Sequence, residues 1–212
     1  MSETVVPRAP APRRLRRRWL LLALAPVLLA GVVAVGSVGV AVAYESSKTP
    51  LPVSPADRAL VLEVGDLEGE LRGRRATPGS LEKFGYFDGT WEVTYRYEDD
   101  ALFLVSTVSR EGGERDARVA LRAAWTGLRV GAELVEGEVE LTPVEGFALG
   151  DEARLARVEV DRQPIGSVAA VRVGHCVVTV VLQGRCFADA AEAEAALARS
   201  LLAVAEVETL AE

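Results

Sequence analysis

One histidine and two cysteines carry most of the reactive side-chain chemistry in this chain of 212 residues. Because His175 is the sole histidine, any catalytic triad, catalytic dyad or histidine-based metal site has to include it. Cys176 follows it directly, and neighbours on a strand point to opposite faces, so these two side chains do not form a local pair. Cys186 lies further along the same extended segment. We interpret His175 as a surface or edge histidine and predict no catalytic residue.

Carboxylate-rich loops are the remaining candidates for a metal site. One histidine and two badly spaced cysteines do not supply the ligand set of a zinc site. Glu98-Asp99-Asp100 and Gly150-Asp151-Glu152 offer the hard oxygen ligands that calcium prefers, but neither has the alternating spacing of an EF-hand loop. A hairpin turn and a solvated loop explain both segments equally well. The sequence also has no phosphate-binding loop and no nucleophile elbow, so we predict no metal and no cofactor.

If the chain is exported, the two cysteines lie in an oxidising compartment, where a disulfide is permitted. Residues 177–182 between them are a β-branched run with no turn residue before Gly184. At about 3.3 Å per residue, a single strand separates the two Cα atoms far beyond the roughly 7 Å limit for a disulfide. The sequence therefore predicts that Cys176 and Cys186 are free thiols, with an intramolecular disulfide as the alternative.

An uncharged apolar run, residues 19–43, indicates where the chain is delivered. Its 25 residues exceed the roughly 20 that a membrane-spanning helix needs. Five arginines within residues 13–18 precede it, which predicts a cytoplasmic N-terminus and an extracytoplasmic C-terminal part. The alternative is a secretory signal cleaved after Ala41-Val42-Ala43, although the run is longer than the usual 7 to about 15 residues. A twin-arginine signal at Arg17-Arg18 is a looser match.

The exported part of the chain, from Tyr44 onward, is acidic. It contains 18 Lys and Arg against 30 Asp and Glu, a net charge of −12. A surface this acidic repels polyanions, so nucleic acid and anionic lipid headgroups are poor partners for the folded domain, and the simplest role of the charge is solubility. About 150 foldable residues make one domain that buries its own core without disulfides.

The composition divides the chain into five segments. We predict a basic cytoplasmic tail over 1–18, a signal-anchor helix over 19–43, a stalk over 44–55, an extracytoplasmic domain over 56–206 and a short tail over 207–212. Ser54 and Pro55 are typical of the N-cap and first position of a helix, which we expect to run to about residue 63. Residues 68–85, rich in glycine and charge, are predicted to be irregular.

Apolar periodicity predicts the first elements of the domain. Apolar and polar residues alternate over 90–98, and a second strand over 102–108 follows a short acidic turn, which predicts a hairpin. Helical spacing of apolar residues predicts a helix over 114–128, with Trp125 in the core. Residues 133–141 predict a further strand with one acidic face.

The C-terminal third predicts three strands and a helix. Three β-rich runs are separated by short connectors: 153–160, 165–173 and 175–182. Such connectors imply adjacent antiparallel strands, because a parallel crossover needs a dozen or more residues. The third run is apolar on both faces, which favours a central strand covered on both sides. Residues 188–204 predict a closing helix across the sheet. The fold class is therefore α+β, with a mainly antiparallel sheet and packed helices.

One segment carries a family resemblance. The segment Leu149-Gly150-Asp151-Glu152-Ala153 is followed by two strands, a valine-rich strand ending at Gly184 and an alanine-rich C-terminal helix. With these features the chain resembles bacterial envelope domains of the PsbP and LpqN-like kind, including extracellular sensor domains of some actinobacterial kinases. The similarity covers about residues 60–206 as an order of elements. These families mostly lack enzymatic activity, so the resemblance implies a binding or assembly role. The chain departs from the kinase sensors in having no kinase domain and too few cysteines for their usual disulfides.

These observations predict a non-enzymatic, single-pass membrane protein of the cell envelope. Its extracytoplasmic domain is expected to bind a protein partner, or an apolar or cell-wall ligand, in a groove between the sheet and the helices. The alternative is a secreted hydrolase or thiol-redox protein that uses acidic residues or Cys176 and Cys186. A cleft with converging carboxylates or an exposed thiol favours the enzyme, and a plain apolar groove favours binding.

Overall fold

The computed structural model describes residues 47–67, 79–133 and 139–209. The predicted cytoplasmic tail and signal anchor, residues 1–43, lie outside these ranges. None of the helices within them has the length and apolar character that crossing a bilayer demands.

The described residues build an eight-stranded antiparallel sheet. Its strands are β1 (Thr49–Pro50), β2 (Ser80–Gly85), β3 (Trp91–Glu98), β4 (Phe103–Arg110), β5 (Val139–Pro143), β6 (Glu152–Val160), β7 (Gln163–Val173) and β8 (Cys176–Gln183). Their spatial order is β1-β2-β3-β4-β8-β7-β6-β5, so the last strand lies at the centre, between β4 and β7. The predicted hairpin, the three adjacent antiparallel strands and the central position of the two-sided apolar run are confirmed.

One face of the sheet is covered by α2 (Glu114–Glu133), which packs mainly on β5, β7 and β8. Its residues Ala117, Leu121 and Leu128 are fully buried. Trp125, predicted in the core, is instead half-buried at the edge of the interface, and the guanidinium of Arg154 lies 5.9 Å from the centroid of its ring. The predicted helix is confirmed and extends five residues further than its spacing indicates.

The opposite face is covered by the C-terminal helix α3 (Ala190–Thr209). Its inward-facing apolar residues are Ala193, Ala196, Leu197, Leu201 and Val204. They pack in one large cluster with the apolar side chains of β3, β4, β7 and β8. The α+β class is confirmed, with helices on both faces of an antiparallel sheet.

An N-terminal segment completes the cover over β3 and β4. The helix α1 (Pro55–Ala59) begins at Ser54, whose side chain accepts a first-turn backbone N–H, as predicted. It ends four residues earlier than predicted, because the chain then turns into the core. There the backbone N–H of Leu62 donates to the buried hydroxyl of Ser106 at 2.9 Å.

Two regions predicted to be irregular contribute strands instead. β2 falls within the predicted irregular region 68–85, and β1 falls within the predicted stalk 44–55. Both pair outward from β3, so the sheet begins closer to the predicted span than expected. The strand predicted over 133–141 corresponds to β5, which starts at Val139; residues 134–138 lie outside the described ranges.

Candidate functional site

The two faces of the sheet are covered unequally, and this difference creates a groove. On one face, α3 and the segment containing Val61, Leu62 and Leu67 together cover the strands. On the other face α2 packs mainly on β5, β7 and β8, which leaves the outward side chains of β3 and β4 beside the helix. The exposed strands and the flank of α2 enclose an open cavity of about 270 Å³. This volume is just below the range of about 300 to 1,000 Å³ that is usual for small-molecule sites.

The groove has a polar floor and an apolar wall. The lining residues are Tyr86, Thr90, Trp91, Glu92, Thr107, Ser109, Arg110, Glu111, Ala120, Ala123, Ala124, Val177 and Thr179. Only alanines of α2 form the wall, so the helix leaves room where larger side chains would fill it. The sheet supplies nearly all groups that can form hydrogen bonds.

Three threonines form a row across the floor. Thr94, Thr107 and Thr179 are directly opposite one another on β3, β4 and β8, so their side chains share one face. The hydroxyls of Thr94 and Thr107 lie 3.2 Å apart and share a hydrogen bond. All three residues are half-buried, and two of them, Thr107 and Thr179, line the groove.

Glu92 lies beside this row, directly opposite Ser109. Its carboxylate accepts hydrogen bonds from the hydroxyls of Thr94 at 3.2 Å and Tyr86 at 3.3 Å. The ammonium of Lys48 lies 3.5 Å from the same carboxylate. Three donors therefore hold the carboxylate of Glu92 in place.

Glu111 extends the same face of β4 beyond Ser109, whose hydroxyl donates to its carboxylate at 2.7 Å. Burial raises the pKa of Glu111 above its usual value, and the negative charges of Asp88, Asp116 and Glu92 add to the rise. The Ser109 hydrogen bond opposes this pKa shift without cancelling it. Ser109 is the partner of Glu92, and Glu111 lies two residues further along the chain. Glu111 is therefore the diagonal neighbour of Glu92, with about 7–8 Å between their Cα atoms. Two carboxylates thus converge on the groove.

His175, the predicted edge histidine, lies half-buried in the tight turn between β7 and β8. Its backbone N–H donates to the carboxylate of Glu208 on α3 at 2.8 Å. The same carboxylate accepts from the thiol of Cys176 at 3.3 Å and pairs with Arg110 at 3.4 Å. Glu208 therefore ties the end of α3 to the turn, and the contacts of this cluster are structural.

The two cysteines are free thiols, as predicted. Cys176 begins β8 and is buried, whereas Cys186 lies beyond the far end of the strand and is half-buried. Burial and the neighbouring carboxylate of Glu208 raise the pKa of Cys176 far above its usual range, and burial also raises the pKa of Cys186. Raised pKa values keep both groups protonated and weakly nucleophilic.

The two acidic loops considered for calcium have other roles. Asp99 accepts the backbone N–H groups of Ala101 and Leu102 at 2.7 and 2.8 Å and so closes the β3–β4 hairpin. Asp151 pairs with the buried Arg172 at 3.0 Å and accepts the N–H of Gly174 at 2.8 Å. Within the described ranges, no three Asp, Glu, His or Cys side chains come together as metal ligands.

Sequence reasoning did not single out the residues of the groove. Glu92 and Thr94 were predicted as the polar side of a half-buried strand, and β4 as the second strand of a hairpin. One pattern in the sequence could have indicated the groove. Hydroxyl and acid residues occupy the alternate positions Thr107, Ser109 and Glu111, after a strand segment that is apolar. Strand order was needed to bring this series beside Thr179.

No known protein family matches the chain, and neither characterised proteins nor solved structures gave a match.

Proposed function

We propose that this chain is a membrane-anchored, non-enzymatic domain of the cell envelope that binds a cell-wall saccharide in the groove between α2 and the β3–β4–β8 face. The resemblance to PsbP and LpqN-like envelope domains agrees with a binding role. The groove is not plainly apolar, so of the expected ligands the proposal keeps the polar, cell-wall one. The two carboxylates that converge on it are the feature stated above as favouring an enzyme, and they keep the hydrolase as the second candidate.

The threonine row carries this proposal. Because Thr94 donates to Glu92, Thr107 donates in the bond that it shares with Thr94 and offers a ligand an acceptor. The hydroxyl of Thr179 can donate and accept, so the two threonines that line the groove suit a ligand made of hydroxyl groups. The fixed carboxylate of Glu92 adds an acceptor, and the ring of Tyr86, whose hydroxyl donates to Glu92, adds apolar surface. A few convergent polar groups beside an apolar wall are typical of small-ligand sites.

The saccharide proposal is tested by co-sedimentation of the detergent-solubilised full chain with purified peptidoglycan. Thr107→Val removes one floor hydroxyl at nearly constant volume, and we expect binding to weaken roughly 5- to 10-fold from the lost hydrogen bonds. Thr126→Val, on the exposed surface of α2, is the matched control and keeps full binding. Equal binding by the two variants contradicts the groove, and no binding by the unmodified chain contradicts the ligand class.

The anchor has its own test. A C-terminal alkaline phosphatase fusion is expected to be active and to stay with membranes after a carbonate wash, since residues 19–43 satisfy the length of a span. Recovery of an active soluble fusion that begins at Tyr44 contradicts the anchor and supports a cleaved signal.

One observation favours the second candidate, a secreted hydrolase. Glu111 has a raised pKa and suits a proton donor, and the carboxylate of the nearby Glu92, held by two hydroxyl donors, faces the same groove. Pairs of carboxylates that face one cleft carry acid and base roles in glycosidases. The thiol-redox reading gains no such support, because Cys176 and Cys186 lie at opposite ends of β8.

Release of soluble sugar products distinguishes a hydrolase from a binding protein. Incubation of the full chain with peptidoglycan or chitin oligosaccharides is expected to release no soluble reducing ends. Glycan cleavage that is lost in Glu111→Gln, while sedimentation with the polymer persists, would replace binding by hydrolysis. Cleavage that survives in Glu111→Gln would indicate a contaminating enzyme.

A further inference from the structure

The outer face of α2 carries a stripe of four arginines, Arg115, Arg118, Arg122 and Arg129, which we call the arginine stripe. At about 100° per residue, these positions fall within an arc of about 60° around the helix axis. All four side chains are exposed. Within the part of the chain that the structure describes, none of them forms a salt bridge or side-chain hydrogen bond.

This stripe is unusual for so acidic a domain. The predicted exported part has a net charge of −12, and carboxylates are abundant on it. Of the exposed acids of the same helix, Glu114 lies about 40° beyond Arg118 at one edge of the stripe, and Asp116 lies about 100° beyond Arg115 at the other. On the far face of the sheet, α3 exposes Glu206 and Arg199, and Glu208 is half-buried and pairs with Arg110. The exposed arginines are therefore concentrated on α2 and not on α3.

Apolar groups flank the arginine stripe. The half-buried ring of Trp125 borders it on one side, and Val119 and Val130 are 61% and 39% exposed on the other. Arginine together with tryptophan and aliphatic side chains is the composition of surfaces that lie at a membrane interface.

The connection to the predicted anchor keeps this surface near a bilayer. The apolar run ends at Ala43, and β1 begins at Thr49. At no more than about 3.5 Å per residue, this connection spans at most about 20 Å. A domain held so close presents one of its faces to the headgroups, and anionic lipid attracts a face with four exposed arginines.

We propose that the arginine stripe docks the domain on anionic lipid of the membrane in which the chain is anchored, so that α2 faces the bilayer and α3 faces away. This inference rests on the anchor of the proposed function. The groove lies on the flank of α2. Docking therefore holds the groove near the bilayer and parallel to its surface.

The orientation is tested with the full chain in vesicles of phosphatidylcholine, either alone or with about 30% phosphatidylglycerol. A fluorophore is attached to Val119→Cys on α2 or to Leu202→Cys on α3, which are 61% and 69% exposed. Both carry Cys186→Ser, which retains a donor for the carbonyl of Gly166, and Cys176 is buried. Spin-labelled lipid quenches a probe that lies at the headgroups.

We expect the α2 probe to be quenched at least about threefold more than the α3 probe on anionic vesicles, and equally on neutral ones. Replacing all four arginines with glutamine, or adding 0.5 M NaCl, which shortens the screening length to about 4 Å, removes the difference. Equal quenching of the two probes on anionic vesicles overturns the proposal. A response of the α2 probe to soluble polyglutamate but not to vesicles also overturns it and assigns the stripe to an acidic protein.

The anchor hypothesis and the docking hypothesis can be tested separately. Resistance of the vesicle-bound chain to carbonate extraction reports on the anchor. If the chain is extracted, the anchor is wrong, and flotation of the same chain with anionic vesicles then measures docking alone. Flotation that the arginine substitutions abolish supports docking, and its absence contradicts docking.

Discussion

Cys176 illustrates how burial and charge together suppress a reactive group. It is enclosed by the core and donates to Glu208, whereas Cys186 is half-buried and donates to the carbonyl of Gly166 at 3.1 Å. Alkylation proceeds through the thiolate, so a raised pKa and burial both slow it.

We expect iodoacetamide to label the native chain at Cys186 at least about tenfold faster than at Cys176. In urea without reductant, both residues are labelled completely. Peptide mass spectrometry measures both results. A linked Cys176–Cys186 peptide would contradict the extended strand that separates them.

Asp57 shows the opposite pKa shift. Burial raises its pKa, but the ammonium of Lys83 at 2.7 Å and the hydrogen bonds of Ser54 outweigh burial, so the pKa of Asp57 is lowered overall. A lowered pKa in the folded state adds stability above the unfolded pKa, and this stability is lost as the pH falls through the folded value.

Asp57→Asn is therefore expected to cost about 2 kcal/mol of unfolding free energy at pH 7, a value reduced from that of a fully buried pair because Lys83 is partly exposed. The difference from the unmodified chain should shrink below about pH 4, where the aspartate is protonated in the unfolded state. Urea melts at several pH values measure this trend. Asp100→Asn, at an exposed position, is the control and should change stability by less than about 0.5 kcal/mol.

Among the elements, α2 combines a packed face with an exposed one. Leu121 is fully buried against β7 and β8, whereas Trp125 is half-buried and reaches the surface beside Arg154. Leu121→Ala should destabilise the domain by about 3 kcal/mol, and Trp125→Ala by about 2 kcal/mol, because part of the ring is already in water. Urea melts that reverse this order would show that the ring of Trp125 is the principal anchor of the helix.

Elements with a strong local pattern were predictable, and elements defined by distant partners were not. The strict alternation of β3 and the two-sided apolar run of β8 each reflect the faces that the strand buries. β2 contains Glu82, Lys83 and Gly85, and its strand conformation comes from pairing with β3. Likewise, α1 ends early because Leu62 bonds to Ser106, a residue 44 positions away. The groove depends on strand order, which local periodicity does not contain.

In the whole molecule, β8 joins two groups of strands. It pairs with β4 on one side and with β7 on the other, so the N-terminal strands β1–β4 and the C-terminal strands β5–β7 meet only through it in the sheet. The apolar cluster under α3 also draws side chains from both groups. Shared burial of this kind makes unfolding cooperative.

We expect a single urea transition, whether it is monitored at Trp91 on β3 or at Trp125 on α2. In a Trp19→Phe background, the variants Trp125→Phe and Trp91→Phe each leave one tryptophan, and their midpoints should agree once each variant's own stability change is measured by circular dichroism. Two separate transitions within one variant would show that the strand groups unfold independently.

The central position of β8 also determines when the domain can form if the chain is exported as proposed. With the N-terminus held in the cytoplasm, the domain crosses the membrane from residue 44 onward and delivers β4 early, but Val105 of β4 pairs with Val181, which emerges 76 residues later. Until then, the edge of β4 with Phe103 and Val105 has no partner strand, and an unpaired apolar edge is an aggregation hazard. Folding outside the membrane is thus post-translocational for most of the sheet. Export intermediates arrested before residue 183 should remain protease-sensitive, and protection of shorter ones would contradict this order of events.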